Sequence, residues 1–276
     1  MKTGIVLIVA GVLLLLVAHI VSADSSAVFQ VDTAGTLETN LLGYWKLDAA
    51  TSTVTDDFFD TLPLTTSGTV SFVSAKVNTG ASVSSSAQIK TTNSGGVDGS
   101  SVSFAGWVRI VEEPTIPEPD DLIFAQSAPT SGVTYAIQYQ NVLSVLKLKF
   151  LRTRRGVLEQ SFTVDYTLPL TTSTHLALTF SSTSSVLSGY VSSTFVGSTT
   201  ASSVGTADAV SEICIGCWRN IAPITDAIFD EWGLWQKELT QTEITDLFNA
   251  TNGQTMEIPT STAVDPATEA QFIQFE

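Results

Sequence analysis

Between residues 42 and 235 apolar and polar positions alternate in short runs, broken by clusters of Gly, Pro, Asn, Asp and Ser, and almost no stretch shows helical spacing. Period-two runs with frequent breaks predict a sandwich or barrel of many short antiparallel strands. The clearest strands are Gly43 to Leu47, Val70 to Val73, Ser101 to Ile110, Thr134 to Tyr139, Ser144 to Leu151, Ser161 to Tyr166, His175 to Phe180, Leu187 to Val191 and Ile228 to Trp235. Their spacing leaves room for several more. In the last run the period of two puts Ile228, Asp230, Trp232 and Leu234 on one face and Phe229, Glu231 and Trp235 on the other. Aromatic residues on both faces predict a central strand. One helix follows: Thr240 can accept from the Glu243 amide while Glu243 reaches back, a capping box, and Ile244, Leu247 and Phe248 form an apolar stripe. Gly253 suits the exit from that helix.

The ends of the chain follow other patterns. A single Lys precedes a continuous apolar run from Gly4 to Ala18, and Val21-Ser22-Ala23 places small residues before Asp24, the pattern of a secretory signal peptide. Gly4 to Ala23 is also long enough to span a bilayer, so residues 1–23 read as a signal peptide or an N-terminal membrane anchor. Both readings put the body outside the cytoplasm, secreted or held at an extracytoplasmic surface, with membrane contact only through residues 4–23 if they stay uncleaved. Residues 24–41 read as a linker, 42–254 as the folded domain, and 255–276, rich in Thr and containing Pro259 and Pro266, as a flexible arm.

Composition sharpens the picture. Charged residues are 14% of the 276, and the formal net charge is -15, a field that repels phosphate backbones and excludes nucleic acid as a partner. Against that background Lys147, Lys149, Arg152, Arg154 and Arg155 place five of the twelve basic residues within nine positions. Lys147 and Lys149 share one face of a predicted strand and the arginines crowd a hairpin tip, a candidate grip for acidic glycans or an acidic protein surface, or else a solvated hairpin. Trp45, Trp107, Trp232 and Trp235 lie inside alternating strands and read as core, whereas Trp218, beside Arg219-Asn220, is the candidate for stacking on a sugar. Cys214 and Cys217 read either as two buried thiols or as a disulfide, which residues three apart on a straight strand cannot form unless Gly216 turns the chain. Asn249-Ala250-Thr251 is a formal glycosylation sequon.

Several segments, in order, resemble the laminin-G-like jelly-roll family of the concanavalin A-like lectin/glucanase superfamily. They are Gly43-Tyr44-Trp45-Lys46-Leu47-Asp48, Lys76-Val77-Asn78-Thr79-Gly80-Ala81, the strand from Ser101 to Arg109 with its Trp107-Val108 pair, His175-Leu176-Ala177-Leu178-Thr179-Phe180, and Asp230-Glu231-Trp232-Gly233-Leu234-Trp235 followed by Leu239-Thr240. The resemblance implies an all-β antiparallel sandwich of jelly-roll type with one short C-terminal helix. It also implies that Asp230, at the start of the closing strand and with Asp48 as a companion, helps to hold a structural Ca²⁺; the plainer reading is a carboxylate pairing with a backbone N–H.

Catalytic machinery is missing from the sequence. After leader removal His175 is the remaining histidine, in an apolar strand without a nucleophile elbow, and reads as a packed residue. The glucanase branch of the fold sets two carboxylates on one strand with Glu-x-Asp-x-x-Glu spacing. The nearest string here, Glu118-Pro119-Asp120-Asp121, lacks the final Glu and lies in a Pro-rich loop. The resulting expectation is an exported non-catalytic module that recognises a glycan or protein ligand through loops at the sandwich rim. The alternatives are a membrane-anchored structural protein of an envelope or virion surface, and a carbohydrate-active hydrolase of the same fold.

Overall fold

A computed structural model describes residues 36–48, 53–54, 62–84, 87–91, 101–114, 121–128, 132–154, 157–201, 212–217, 226–249 and 252–253. Every described residue belongs to one compact unit within Val31–Glu276. The leader, most of the 24–41 linker and the 255–276 arm therefore lie outside the described residues, as does the Glu118–Asp120 string. Among the described residues no helix is long and apolar enough to cross a membrane.

The described strands in chain order are β1 Leu41–Trp45, β2 Thr53–Val54, β3 Leu64–Ser67, β4 Val70–Ser74, β5 Thr79–Ser84, β6 Gln88–Thr91, β7 Val102–Glu112 and β8 Asp121–Ala128. They continue as β9 Gly132–Val142, β10 Val145–Arg154, β11 Val157–Asp165, β12 Thr174–Ser181, β13 Val186–Val191, β14 Thr194–Thr200, β15 Glu212–Ile215 and β16 Asp226–Trp235, and helix α1 is Gln241–Phe248. One sheet runs β14-β13-β12-β7-β16-β5-β4, with β1 also on β16; the other runs β11-β10-β9-β8-β15-β6-β3-β2. Every pairing is antiparallel, as the alternating pattern requires for strands with one face turned to a partner sheet. The two sheets pack into the all-β jelly-roll sandwich that the segment order implied.

The core lies between them. Phe104 of β7 stacks on Phe124 of β8 at 4.2 Å between ring centroids, and Phe124 stacks on Trp232 of β16 at 5.2 Å, so one aromatic column ties the two sheets together. Each fully buried Phe of this kind contributes about 1.5–3 kcal/mol through the area it removes from water. Gly106 makes room for that column: a Cβ there would stand 2.3 Å from the Trp232 ring. A second cluster sits on the outer face of the first sheet, where Ile244 and Leu247 of α1 cover Tyr44, Ala105, Ala177 and Trp235. The capping box holds the start of this helix, with the Glu243 amide donating to Thr240 Oγ1 at 3.2 Å and the Thr240 amide donating to Glu243 Oε2 at 2.8 Å. The helix ends at Asn249, whose φ of 45° is left-handed; Gly253, expected at the exit, turns the chain four residues later.

β16 is central, paired with β7 on one side and with β5 and β1 on the other. Its faces differ from strict alternation. Phe229, not Ile228 or Asp230, joins Trp232 and Leu234 in the inter-sheet core. The pairing with β7 shifts between Asp230 and Gly233, and Glu231 adopts a φ of 51°. This bulge inserts one residue and reverses the phase of every side chain beyond it.

Candidate functional site

In the hairpin of β9 and β10, Ile137, Tyr139, Leu148 and Phe150 all point into the core. Gln138, Gln140, Lys147 and Lys149 therefore lie on the opposite, outer face of the second sheet. Register pairs Lys147 with Gln140 and Lys149 with Gln138, and β11 adds Asp165 beside Lys147 and Thr163 beside Lys149. Both glutamines are 8% exposed, recessed for side chains on an outer face, and Gln140 Nε2 donates to Gln138 Oε1 at 3.5 Å. Lys147 Nζ donates to Asp165 Oδ1 at 2.5 Å, while Lys149 has no acidic side chain in ion-pair reach among the described residues. Across the sheet the same face carries Lys90, 3.8 Å from Glu212.

The basic cluster read from the sequence is thus dispersed. Arg152 corrects it most clearly: the residue lies inside β10, not at a tip, and alternation from Leu148 and Phe150 carries it to the core face. It is fully buried, with its guanidinium 4.5 Å from the Phe180 ring and Nε donating to Tyr135 Oη at 3.2 Å, so it cannot meet a ligand on the outer face. Arg154 closes β10, its side chain outside the described set, and Arg155 and Trp218 lie outside the described residues. One lysine in an ion pair and one without remain of the described grip.

At the end of the same hairpin Leu143 and Ser144 form a two-residue turn with φ values of 52° and 69°. Asn-Gly is the usual occupant of such a turn, and a leucine held there costs about 1–2 kcal/mol. Leu143 is also 90% exposed. Beneath this turn Ser144, Val145, Leu146, Asp165, Tyr166 and Thr167 line a pocket of about 300 Å³. Sequence reading missed Gln138, Gln140, Asp165 and Tyr166. The signal was there, Gln-x-Gln on one strand opposite Lys-x-Lys on the next, but a Leu-Ser turn does not announce the register that pairs them.

Asp230 and Asp48 meet at the segment 76–79. Asp230 is not at the start of the closing strand but at the bulge within it, 1% exposed, and its Oδ2 accepts from the Val77 amide at 2.7 Å. Its Oδ1 is buried and makes no hydrogen bond of full geometry, although the Lys76 and Glu231 amides also stabilise the carboxylate. Burial pushes its pKa up to about 8; the Val77 amide works against that rise and the Asp48 charge adds to it. Asp48 Oδ1 accepts from the Thr79 amide at 3.1 Å. Among the described residues no three acidic, His or Cys side chains group as a metal cage. A buried carboxylate oxygen of this kind, beside a second carboxylate, nonetheless suits a hard cation that takes its other ligands from backbone oxygens and water.

Cys214 and Cys217 form a disulfide with Cα atoms 5.4 Å apart, and Gly216, at a φ of 70°, supplies the turn that brings them together. Asn249 Nδ2 donates to Gly253 O at 2.9 Å, so a glycan on this sequon would displace a bond that closes the helix exit. His175 packs against Trp107 and Phe248 with ring centroids at 5.2 and 6.2 Å, and burial lowers its pKa to about 3. It is a packed aromatic at neutral pH, not a base facing substrate.

The fold and its faces can be set beside known proteins. The binding domain of Paraclostridial Mosquitocidal Protein 1 is similar in structure with a TM-score of 0.62 at 13% identity, covering 76% of this chain and 52% of that domain. A botulinum neurotoxin type C structure, described as dependent for cell entry on two ganglioside molecules, gives 0.59 at 15% identity over 77% of this chain and 51% of its own. This chain thus spans about half the length of those toxin structures. Domain 4 of AbnA, a GH43 extracellular arabinanase from Geobacillus stearothermophilus solved with arabinotriose, gives 0.55 at 18% identity and covers 75% of this chain and 97% of that one. No curated protein matches the chain in sequence. These likenesses establish the fold, and the match of a laminin-G-type family model to residues 81–245 identifies the chain as a member of the concanavalin A-like lectin/glucanases superfamily.

Proposed function

We propose that the protein is an exported, non-catalytic recognition module that binds glycans on the outer face of its second sheet. The observation that carries this reading is the row of Gln138, Gln140 and Lys149 on one face of the second sheet, the two glutamines recessed in it. Amide and ammonium groups fixed on a rigid sheet suit the dense hydroxyls of a sugar, for which they supply both donors and acceptors. The structurally similar toxin and arabinanase domains, one tied to gangliosides and one to arabinotriose, support a glycan as the ligand. The signal-like leader supports export, and the missing Glu-x-Asp-x-x-Glu spacing supports binding without hydrolysis.

An array of neutral and charged glycans probed with the full chain should give discrete hits. Replacing Gln138 and Lys149 together by Ala should weaken those hits by about tenfold or more, one factor of ten for roughly each 1.4 kcal/mol of binding free energy removed. An array silent for every glycan class would overturn the reading. Export has its own check, since cell fractionation with N-terminal sequencing should find a chain beginning at Asp24.

The proposal includes a structural Ca²⁺ held by Asp230 with Asp48. Such an ion would neutralise two adjacent carboxylates and ligate the buried Oδ1, tying the closing strand to the segment 76–79. Millimolar Ca²⁺ at pH 8 should raise the thermal midpoint relative to chelator, and Asp230→Asn should remove the difference. Equal midpoints with and without chelator would exclude a stabilising ion.

A further inference from the structure

Among the described residues five large apolar side chains are exposed, Val111, Leu143, Val145, Leu170 and Phe195, at 42 to 90%. Scattered singly such residues need no explanation, but these all stand at one end of the sandwich. Leu143 and Val145 belong to the β9–β10 turn, and Asn141 just before it donates from Nδ2 to Pro114 O at 3.0 Å, which brings Val111 at the end of β7 to the same end. β12 starts there too, since Thr174 pairs with Val108 of β7, and the loop carrying Leu170 joins it to the end of β11, where Asp165 pairs with Lys147. Phe195 is the second residue of β14, and the turn before it is fixed by the Ser192 amide donating to His175 O at 2.8 Å. We infer that this end is a membrane-docking rim, whose apolar tips enter the headgroup region of a zwitterionic phosphocholine bilayer. The inference stands apart from the glycan reading, which uses Gln138, Gln140 and Lys149.

The fold holds these tips out. Leu143 occupies a turn position with a φ of 52° that favours Asn or Gly, and it is the most exposed of the five, so its side chain serves no packing purpose there. Leu170 follows the buried Leu168, whose amide donates to Tyr139 Oη at 3.1 Å, so the base of the loop is pinned while its tip faces solvent. Phe195 leans on Tyr190 across the β13–β14 pair with ring centroids 5.7 Å apart. Tyr190 and, at the end of β11, Tyr166 are half-buried. A tyrosine joins an apolar ring to a polar tip, the combination that suits the boundary between hydrocarbon and water.

Geometry and charge select the occupant. Val111 and Phe195 come from the first sheet, Leu143 and Val145 from the second, and Leu170 from the loop between them. A folded protein partner needs a continuous surface of matched shape, whereas a fluid interface adapts to separate tips and gains from each apolar area it covers. Acidic headgroups are drawn by clusters of Lys and Arg, and this end carries none: Lys147 is taken by Asp165 at 2.5 Å, while Glu112 and Glu113 are exposed, in a chain whose net charge is -15. Those carboxylates repel an anionic surface and tolerate the cationic choline that faces outward on a zwitterionic one.

The test uses the full exported chain carrying an environment-sensitive NBD label on Ser144→Cys, which keeps Leu143, or on Thr183→Cys in the β12–β13 turn at the opposite end. Phosphatidylcholine vesicles should blue-shift the label at 144 and open it to quenching by nitroxides on the acyl chains, while the label at 183 stays in water. The reading is local, so binding through residues 4–23 does not imitate it. Adding phosphatidylserine to the vesicles should not strengthen binding. In the same labelled chain Leu143→Ser with Phe195→Ser should raise the half-saturating lipid concentration by about tenfold or more at an unchanged thermal midpoint. Val145→Ser with Leu170→Ser is the second pair if the first fails to fold. A label at 144 that stays in water, an equal response at 183, binding that requires phosphatidylserine, or a serine pair that binds as well as the parent would each overturn the inference. A lipid-free dimer in sedimentation that the serine pairs dissociate would overturn it as well, and would make the rim a contact between copies of this chain.

Discussion

His175 and Asp230 are each held almost free of solvent with a displaced proton affinity, and their displacements act in opposite directions. Burial lowers His175 from 6.5 to about 3, so between those values the unfolded chain binds the proton and the folded chain does not. Stability is then lost as pH falls below 6.5. Burial raises Asp230 from 3.8 to about 8, so the folded chain holds the extra proton there and stability is lost as pH rises. In chelator the two effects cancel between 3.8 and 6.5, which predicts a plateau in the thermal midpoint, with a fall on the acid side from His175 and on the alkaline side toward pH 8 from Asp230. His175→Gln should weaken the acid limb and Asp230→Asn the alkaline one, as read by melts across the pH range. A steric prediction belongs to the same scale: Gly106→Ala puts a methyl within 2.3 Å of the Trp232 ring and should cost about 1–3 kcal/mol in denaturant unfolding.

Helix α1 and strand β16 show what an element carries in its own sequence. The helix was legible because its signals are local: Thr240 and Glu243 lie three apart and bond reciprocally, and Ile244 and Leu247 share the face that seals the outer cluster. Thr240→Ala should therefore cost about 1 kcal/mol of stability, measurable as a lower urea midpoint. The existence and central place of β16 were legible for the same reason, since its run of apolar residues has no polar face. Its phase was not. The left-handed Glu231 arises where the strand meets β1, with the Glu231 amide donating to Lys46 O at 3.3 Å and Tyr44 Oη donating to Glu231 Oε2 across 187 positions of sequence. No window centred on the strand contains those partners. The turns at Leu143-Ser144 and Ser192-Ser193 make the same point, because both adopt positive φ without the Gly or Asn that would announce it.

At the scale of the whole molecule, a chain with a net charge of -15 carries Lys147 against Asp165 and Lys90 near Glu212 on the outer face of the second sheet. Lys147 is balanced by Asp165 and Arg152 is enclosed, so ligand binding on the outer face should depend only weakly on salt. Affinity for a glycan found on the array should change by less than about threefold between roughly 50 and 300 mM NaCl, as read by titration calorimetry. A steep loss would point to a polyanionic ligand held by Lys149 together with Arg154 and Arg155.

Local signals in the chain were enough for the class of fold, the order of its main strands, the capped helix and the burial of four tryptophans, because period, capping and aromatic placement act within a few residues. They also showed that Gly216 was required if the cysteines were to bond. The parity that separates Lys149 from Arg152 was present in the Leu148–Phe150 alternation, but how far β10 runs, and hence that Arg152 lies within the strand against Phe180 and Tyr135 and not at a hairpin tip, was settled by packing. Packing likewise brought Asp165 and Tyr166 to a pocket with Ser144, since pairing β10 to β11 joins positions about twenty residues apart through a register that long-range packing selects.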